Sequence, residues 1–560
     1  MLSTLSTLLL ILPLLAAGAV ALAPERLSKW IATFATLVVF AVSLAFAWGF
    51  PGWTDGSIAP MDAGISIGLG INLSLGADAV GVMLILLTTF LMPLAMIGSF
   101  TAVKERVKEY YGWFMLLEAA MLGVFLARDA IVFYTAYEFT LVPMYFLIAI
   151  FGGAERRAAS VKFFLYTFFG SMLTLAGVIY IAAQNAMAAD GVWTFDLAAL
   201  AKHASGMSPE QQFWVFILLM AGFAVKVPLF PWHTWLPLAH DQAPTAGSVI
   251  LAGTLLKLGT YGVYRIALPA APIGGVELSQ LLAVLCILGI VVTALICWVQ
   301  HDVKKLVAYS SVSHLGFCML GLFSLNSIGA TGSVMYMINH GLSTGALFLC
   351  IGMIYERYHT KDMDQLGGLF RRMPVWSFFM VFFTFASLGL PGLNGFIGEF
   401  LCLMGCFIAE PNSVAGYPGI LGPWYAVVAG SGLVLAAMYL LIMLGKLVWG
   451  PLKEPHGHGH VHGHGHGHGQ GHGQGHDHAG ELPTDLSARE IGILIPLAVV
   501  CLAIGFYPKP MLQAIAPSVE KTLAAYPKHV EKFVREGSLV YPAAAADPTV
   551  ALAQPADSIK

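Results

Sequence analysis

The sequence has little charge for its length. Of its 560 residues, only 11% are Asp, Glu, Lys or Arg, whereas a soluble globular domain contains about 25% of these residues. Hydrophobic residues make up 58% of the chain, and the mean hydropathy is +0.77. We therefore expect an integral membrane protein whose surroundings are the lipid bilayer, and a nucleic acid is not among its expected partners.

Motifs for cofactors are also missing. The seven cysteines form no CxxC pair and no ferredoxin-like run, which argues against iron–sulfur ligation. Cys402 and Cys406 lie one helical turn apart, and buried structural thiols are favoured over a redox pair. Neither GxGxxG nor GxxxxGK[ST] occurs, so we expect neither a nucleotide site nor any other cofactor or metal site in this chain.

Long apolar runs dominate what is present. Each run is long enough to cross a hydrocarbon core of about 30 Å as a helix, and the sequence lacks the period-two alternation of a β-barrel. The first run resembles a signal peptide, but its basic residues follow it, so we interpret it as a retained helix. The prediction is an all-α polytopic membrane protein with about 14 transmembrane helices, at 3–22, 30–48, 77–99, 111–127, 129–151, 160–183, 211–230, 243–268, 279–299, 305–325, 329–355, 374–409, 422–449 and 489–508.

Basic residues predict the orientation, because Lys and Arg collect in cytoplasmic loops. They fall in alternate loops, and the intervening loops carry little more than Arg128, Lys202 and Arg265. Both termini should then lie on the periplasmic side of a bacterial inner membrane. The basic residues assigned to the cytoplasm are Arg26, Lys29, Lys104, Arg106, Lys108, Arg156, Arg157, Lys162, Lys304, Lys305, Arg357, Lys361, Arg371 and Arg372.

Two segments stand outside this pattern. Ten histidines alternate mainly with glycine between His456 and His478, in a loop (451–488) that we predict to be cytoplasmic because this composition cannot build a core. Dense imidazoles could hold Zn²⁺, Ni²⁺ or Cu²⁺, although a tolerated low-complexity insertion is the favoured interpretation. After the last helix, a polar tail (509–560) contains one candidate amphipathic helix near 518–537 and looks accessory.

Helices 7 and 12 are interrupted in a similar way. Pro228, Pro231 and Pro237 break the seventh helix, and Pro391 with Gly392 breaks the twelfth. Broken helices in matching positions are typical of transporters built from inverted repeats, and unwound backbone at that depth must be buried or line water. We predict three N-terminal helices (1–110), two inverted five-helix repeats (111–268 and 279–450) and a last helix (489–508).

Nine ionisable residues fall within these spans or in the interrupted segment after the seventh. They include acids, bases and imidazoles. A lysine at the helix centre costs about 2.5 to 3.5 kcal/mol on insertion scales, so such residues persist where a partner or a water path compensates them. The nine residues are Glu118, Glu138, Lys226, His233, His240, Lys257, His314, His340 and Glu399.

Two of the nine are difficult to explain as structural. Glu118 could be a satisfied packing residue, and His233 and His240 could be solvated near the cytoplasmic end. The segments around Lys226 and Lys257 offer no water-facing residue and no helix end toward which either side chain could extend. Since burial disfavours a charged lysine and a nearby carboxylate favours it, Glu138 as a mobile partner would make Lys226 a switchable proton donor.

Four blocks of the sequence resemble a known family. "FPWHTWLPLAHDQAPTAGSVILAGTLLKLGTYGVYR" (230–265), "YSSVSHLGF" (309–317), "NHGLSTGALFLCIGMIYERYHTKDM" (339–363) and "LPGLNGFIGEF" (390–400) are similar to the antiporter-like chain M (chain 4) of respiratory complex I. The likeness covers roughly residues 75 to 450. It implies a proton-translocating membrane-arm subunit of NADH:quinone oxidoreductase, next to other antiporter-like chains.

The resemblance also implies roles for individual residues. Glu138 and Lys226 match the family's coupling pair, Lys257 its central lysine, and Glu399 the residue at the distal proton exit. His314 and His340 match its relays. NADH, flavin (FMN), iron–sulfur clusters and quinone would belong to partner subunits. The chain departs from the family in two places, and no family role is assigned to either. Leu238 stands where family members often have a charged residue, and the histidine-rich loop is not part of the family pattern.

Two other classes of function remain open. A subunit of a Mrp-type multi-subunit cation/proton antiporter shares the fold and the buried Glu–Lys pair, but would show Na⁺-dependent exchange without NADH. A structural membrane scaffold would tolerate the loss of the charges of Lys226 and Glu138. The sequence block 230–253 is closer to the complex I chain than to the antiporter.

Overall fold

The computed structural model describes residues 1–60, 64–411, 413, 416, 419–455 and 484–540. The histidine-rich segment from His456 to His478 and the last part of the tail lie outside these residues. In the first part of the chain the helices are α1 (Leu2–Leu22), α2 (Glu25–Trp48), α3 (Gly52–Asp55), α4 (Ala79–Gly98), α5 (Val107–Leu126), α6 (Ala130–Phe139), α7 (Leu141–Phe151), α8 (Arg156–Ala188) and α9 (Leu197–Ser205).

The remaining helices follow in chain order. They are α10 (Pro209–Lys226), α11 (Trp235–Gln242), α12 (Thr245–Ile250), α13 (Leu256–Gly262), α14 (Leu268–Ala270), α15 (Pro272–Trp298), α16 (Val303–Phe323), α17 (Ser327–Tyr358), α18 (Pro374–Ser387), α19 (Asn394–Ile408), α20 (Pro423–Leu447), α21 (Ala488–Phe506), α22 (Lys509–Leu523) and α23 (Tyr526–Glu536). π-Helical turns join α12 to α13 and α13 to α14, and a 3-10 turn lies at Leu369–Arg371.

One small β-hairpin departs from the all-α prediction. Strands β1 (Ile65–Gly68) and β2 (Ile71–Leu73) pair antiparallel in the connection between α3 and α4. Its strands are short and lie partly exposed, outside the helical core. The chain is thus mostly helical, as expected, with a hairpin that the apolar pattern did not reveal.

Membrane-length helices make up most of the described residues. Eleven of them are long and apolar enough to cross a bilayer. The most apolar stretches of Thr245–Ala270 and Ser327–Tyr358 are 100% buried, whereas those of Leu2–Leu22 and Ala488–Phe506 are 33% buried. The centre of the bundle is therefore built from α12 to α14, α16 and α17, which carry Lys257, His314 and His340.

Both predicted helix breaks are present. α10 ends at Lys226, and α11 begins only at Trp235, because Pro228 and Pro231 lack the N–H group and fit poorly in a continuing helix. α18 ends at Ser387 and α19 begins at Asn394. The predicted span 129–151 is present as one membrane-length helix, Ala130–Phe151, in which Thr140 keeps helical backbone angles (φ −61°, ψ −25°) between α6 and α7.

The described part of the C-terminal tail packs against the helical bundle. The Ser518 hydroxyl and the Asp78 carboxylate lie 3.2 Å apart, and Tyr526 donates to the Leu268 carbonyl at 3.0 Å. Glu277 accepts from the Ser538 hydroxyl at 2.6 Å. α22 and α23 thus close over the end of the bundle that the sequence assigns to the periplasm, so the described part of the tail is packed against the helices.

Candidate functional site

Lys226 lies at the break in the first interrupted helix, where its side chain is 1% exposed. Its ammonium donates to the Thr140 hydroxyl at 3.2 Å and lies 5.0 Å from the Tyr137 ring centroid. Glu138, the partner predicted from sequence, does not bond to it directly, although the two charges are close enough to interact. Thr140 therefore provides the polar contact, and Glu138 acts through space.

The position of Glu138 explains this arrangement. It lies two residues before Thr140, which joins α6 to α7 with helical backbone angles, and is only partly buried. One of its carboxylate oxygens has no hydrogen-bond partner among the described residues. Because the carboxylate is incompletely bonded, rotation of its side chain can change its distance from Lys226 with little loss of other contacts.

Lys257 lies in the most buried part of the bundle. Two π-helical turns flank its helix, at Leu251–Leu255 and Val263–Ala267, and such turns are frequent at functional sites. Its Nζ lies 2.7 Å from Nδ1 of His340 and donates to the Ala252 carbonyl. Lys257 and His340 therefore form a direct contact between two central helices.

Two imidazoles extend this contact across the bundle. The ring centroids of His340 and His314 are 6.0 Å apart, and Nδ1 of His314 lies 3.2 Å from Oε1 of Glu399. Both histidines are 2% exposed, and Glu399 is 3% exposed. Lys257, His340, His314 and Glu399 thus form one buried row of titratable groups.

Tyr336 belongs to this row, although we did not predict it from the sequence. Its hydroxyl lies 2.5 Å from Nδ1 of His314 and donates to the Glu399 carboxylate. It precedes His340 by four residues, and residues i and i+4 share one helix face. That spacing was the available signal, but a tyrosine carries no charge and so was absent from the set of buried ionisable residues.

The second helix break supports Glu399. Gly389 has φ +76°, and a Cβ at this position would lie 2.3 Å from Oε2 of Glu399. Asn339 donates to the Asn394 carbonyl at 2.6 Å, and Asn394 donates back to the Asn339 carbonyl at 3.2 Å. The break therefore makes room for the Glu399 carboxylate. The two asparagine hydrogen bonds tie the start of α19 to α17.

The remaining intramembrane candidates lie outside this row. Glu118 is fully buried, and neither carboxylate oxygen has a partner among the described residues. His233 is 6% exposed and stacks on Phe230, while His240 is fully buried and stacks on Phe348. The expectation that both histidines are solvated is wrong, because the segment after the break folds back into the bundle.

The site residues fall into two adjoining groups. A Cβ added to Gly259 would lie 3.1 Å from Cβ of Lys226, which places the helix of Lys257 directly against the stem of Lys226. No group of three or more His, Cys, Asp or Glu in the described part of the chain could hold a metal ion. The arrangement places donors and acceptors of protons next to one another, which is the chemistry that proton transfer requires.

The sequence matches the family described as "NADH:quinone oxidoreductase/Mrp antiporter, TM" over residues 127–421 and "NADH-ubiquinone oxidoreductase chain 4, amino terminus" over residues 63–127. NADH-quinone oxidoreductase subunit M of Rhodobacter capsulatus is 39% identical, over 92% of this chain and 95% of the relative. A chain of respiratory complex I from Thermus thermophilus superimposes with a TM-score of 0.77 and 28% identity, covering 93% of this chain and 99% of that one. A chain of the Mrp complex from Dietzia, 20% identical, shares the fold with a TM-score of 0.74, covering 96% and 99% of the two chains.

Proposed function

This chain belongs to the subunit M (chain 4) family of NADH:quinone oxidoreductases, as a proton-pumping membrane subunit of complex I, and we propose that the buried row performs its proton transfer. Protons pass Lys226, Lys257 and the two imidazoles and leave past Glu399. The observation that supports this path is the contact sequence from Lys257 through His340 and His314 to Glu399.

The energetic argument for function starts from the cost of such a row. Polar groups in the middle of a membrane are expensive, and apolar residues of similar size would pack there without that cost. In this chain the polar groups contact one another across α13, α16, α17 and α19 rather than being scattered. We infer that these polar groups are retained because protons move between them.

Glu138 and Lys226 form the switch in this proposal. A carboxylate near a buried lysine favours its charged form, and withdrawal of the carboxylate favours proton release. Lys226 therefore loads while Glu138 is near, and releases its proton toward Lys257 when Glu138 moves away. The break after Lys226 gives that side chain room to change position, and in the proposal Glu138 moves by rotation of its side chain.

The energy for this cycle comes from outside the chain. Moving one charge against 100 mV requires about 2.3 kcal/mol. As a subunit of NADH:quinone oxidoreductase, the chain has partner subunits, neighbouring antiporter-like chains among them. In our proposal those partners hold NADH, FMN, the iron–sulfur clusters and quinone, and this chain contains no redox centre and works as a translocase.

In this proposal the chain crosses the membrane fourteen times. Eleven helices meet the length and hydropathy expected of a span, and we add α5, the pair α10 and α11, and the pair α18 and α19. Residues 111–268 and 279–450 then form the two inverted five-helix repeats. The basic loops and the loop containing His456–His478 are cytoplasmic, and both termini are periplasmic in the bacterial inner membrane.

NADH-driven proton uptake by inverted membrane vesicles tests this function. We expect Lys226→Ala to abolish uptake through this chain while a native gel shows an assembled complex. Lys202→Ala changes an exposed lysine on α9 and should pump as the wild type does. Unchanged pumping by assembled Lys226→Ala contradicts the proposal, and Na⁺-dependent exchange without NADH would then favour an antiporter of the Mrp type.

A further inference from the structure

A cavity of about 740 Å³ opens between the loops that the basic residues assign to the cytoplasm. Backbone and side chains from four separate connections line it, including the loop after α4 and the one after α7. Among the lining residues are Ala102, Glu105, Asp241, Lys304, Glu356 and Lys361. Five of these six residues are charged, and the cavity is partly open, so we expect water to enter it.

Lys304 lies in the wall of this cavity rather than in a solvated loop. The sequence suggested a cytoplasmic loop charge, but Lys304 is the second residue of α16 and is 8% exposed. Its ammonium donates to the Ala243 carbonyl at 2.6 Å and lies 3.4 Å from the Asp241 carbonyl. The neighbouring Lys305 differs, because its side chain is 43% exposed.

The carboxylate nearest to Lys304 is bonded to other lysines. The Asp241 side chain accepts from Lys361, and Lys305 lies 3.6 Å from it. Asp302 uses a carboxylate oxygen to accept the backbone N–H groups of Lys304 and Lys305, and also lies near Lys361. Among the described residues, the Lys304 ammonium thus hydrogen-bonds only to neutral carbonyl oxygens. Loss of its proton therefore costs less free energy than it would for a lysine in an ion pair.

His240 lies on the inner side of Lys304. It is fully buried, and neither ring nitrogen has a hydrogen-bond partner among the described residues. Both Lys304 and Lys257 are close enough for their charges to act on it. His240 is therefore a buried imidazole with unbonded ring nitrogens, near enough to both the cavity lysine and the central lysine to sense their charges.

We propose that this cavity is the cytoplasmic uptake vestibule for protons and that Lys304 is the residue that accepts them. A proton from cavity water binds the lone pair of neutral Lys304. The Lys304 ammonium then transfers it to a ring nitrogen of His240, which restores neutral Lys304 and passes the proton toward Lys257. This inference rests on the proposed proton-pumping function and adds the residue at which uptake occurs.

The competing explanation is structural. A lysine at the C-terminal end of a short helix, here α11, satisfies free carbonyls and complements the helix dipole. Lys304→Arg and Lys304→Gln keep donors for those carbonyls, but arginine does not release its proton and glutamine cannot carry one. If Lys304 has only a structural role, both variants should pump normally. If Lys304 takes up protons, both variants should lose pumping.

The first experiment measures the ratio of protons pumped to NADH oxidised in inverted vesicles, with assembly checked on a native gel. We expect both Lys304 variants to lose about 100-fold in proton transfer at this step, the scale of a lost acid–base group, and thus to lower the ratio. Lys305→Gln is the matched control and should behave as the wild type. Wild-type ratios in both variants, or an equal loss in Lys305→Gln, would overturn the proposal.

A second experiment leaves Lys304 intact and decides the question if its variants do not assemble. All seven native cysteines are buried, so a bulky water-soluble maleimide added to inverted vesicles should react selectively with Ala102→Cys in the vestibule. We expect this modification to stop pumping, and modification of Lys305→Cys to leave it unchanged. Pumping that survives the blocked vestibule while Lys226→Ala still abolishes it would refute this uptake route and leave the proposed function standing.

Discussion

Tyr336→Phe tests the buried row at the residue that the sequence did not reveal. The substitution removes one hydroxyl and keeps the ring that packs in the core. That hydroxyl donates to Glu399 and lies 2.5 Å from Nδ1 of His314. If the row transfers protons, the variant should slow NADH-driven proton uptake while the complex still assembles.

The geometry sets the expected size of the effect. A hydrogen bond to a charged group contributes about 1.5 to 3 kcal/mol, which corresponds to roughly 10- to 100-fold in a rate. His314 and Glu399 keep their own contact at 3.2 Å after the hydroxyl is removed. We therefore expect the lower end, a loss of about tenfold in the pumping rate.

The assay compares Tyr336→Phe with Tyr439→Phe in inverted vesicles. Tyr439 is also buried, and its hydroxyl has no hydrogen-bond partner among the described residues. The control removes the same atom from the core without removing a link of the row, so it should pump normally. Full pumping by Tyr336→Phe, or an equal loss in Tyr439→Phe, would refute the reasoning.

Two further predictions concern the second helix break and the cytoplasmic surface. Gly389→Ala should reduce pumping more than Gly392→Ala, measured in assembled complexes, because both have positive φ but only a Cβ at Gly389 meets Glu399. An equal effect would mean that backbone strain alone is responsible. A hydrogen bond from Lys446 lowers the pKa of Asp364 to about 2, so this carboxylate stabilises the fold above its usual pKa and loses that contribution as pH falls toward about 2. The melting temperature of Asp364→Asn should accordingly be below that of the wild type at pH 7, and the difference should vanish between about pH 4 and pH 2.

The buried ionisable residues could be found from the sequence because each was conspicuous in its own segment. A lysine or glutamate in an apolar run costs free energy wherever the helix packs. The prolines after Lys226 and the Pro–Gly pair before Glu399 interrupt helices by local stereochemistry, and both breaks are present. Hydropathy gave the membrane-length spans, Ala130–Phe151 among them.

Which of these residues touch was decided by tertiary packing. Lys257 meets His340 across 83 residues of sequence, and His314 meets Glu399 across 85. Helical periodicity relates only neighbours three or four residues apart. For the same reason the sequence could not distinguish buried Lys304 from exposed Lys305, which are adjacent in the chain but point to opposite environments.

The sequence by itself determined that the chain is a membrane protein, where its helices break and which charges lie within the spans. These properties follow from the local cost of placing polar groups and unpaired backbone in hydrocarbon. Only the tertiary structure assigned Thr140 to Lys226, added Tyr336 to the row and placed Lys304 at the cavity. Contacts between distant helices depend on how their surfaces fit together, and no single segment contains that information.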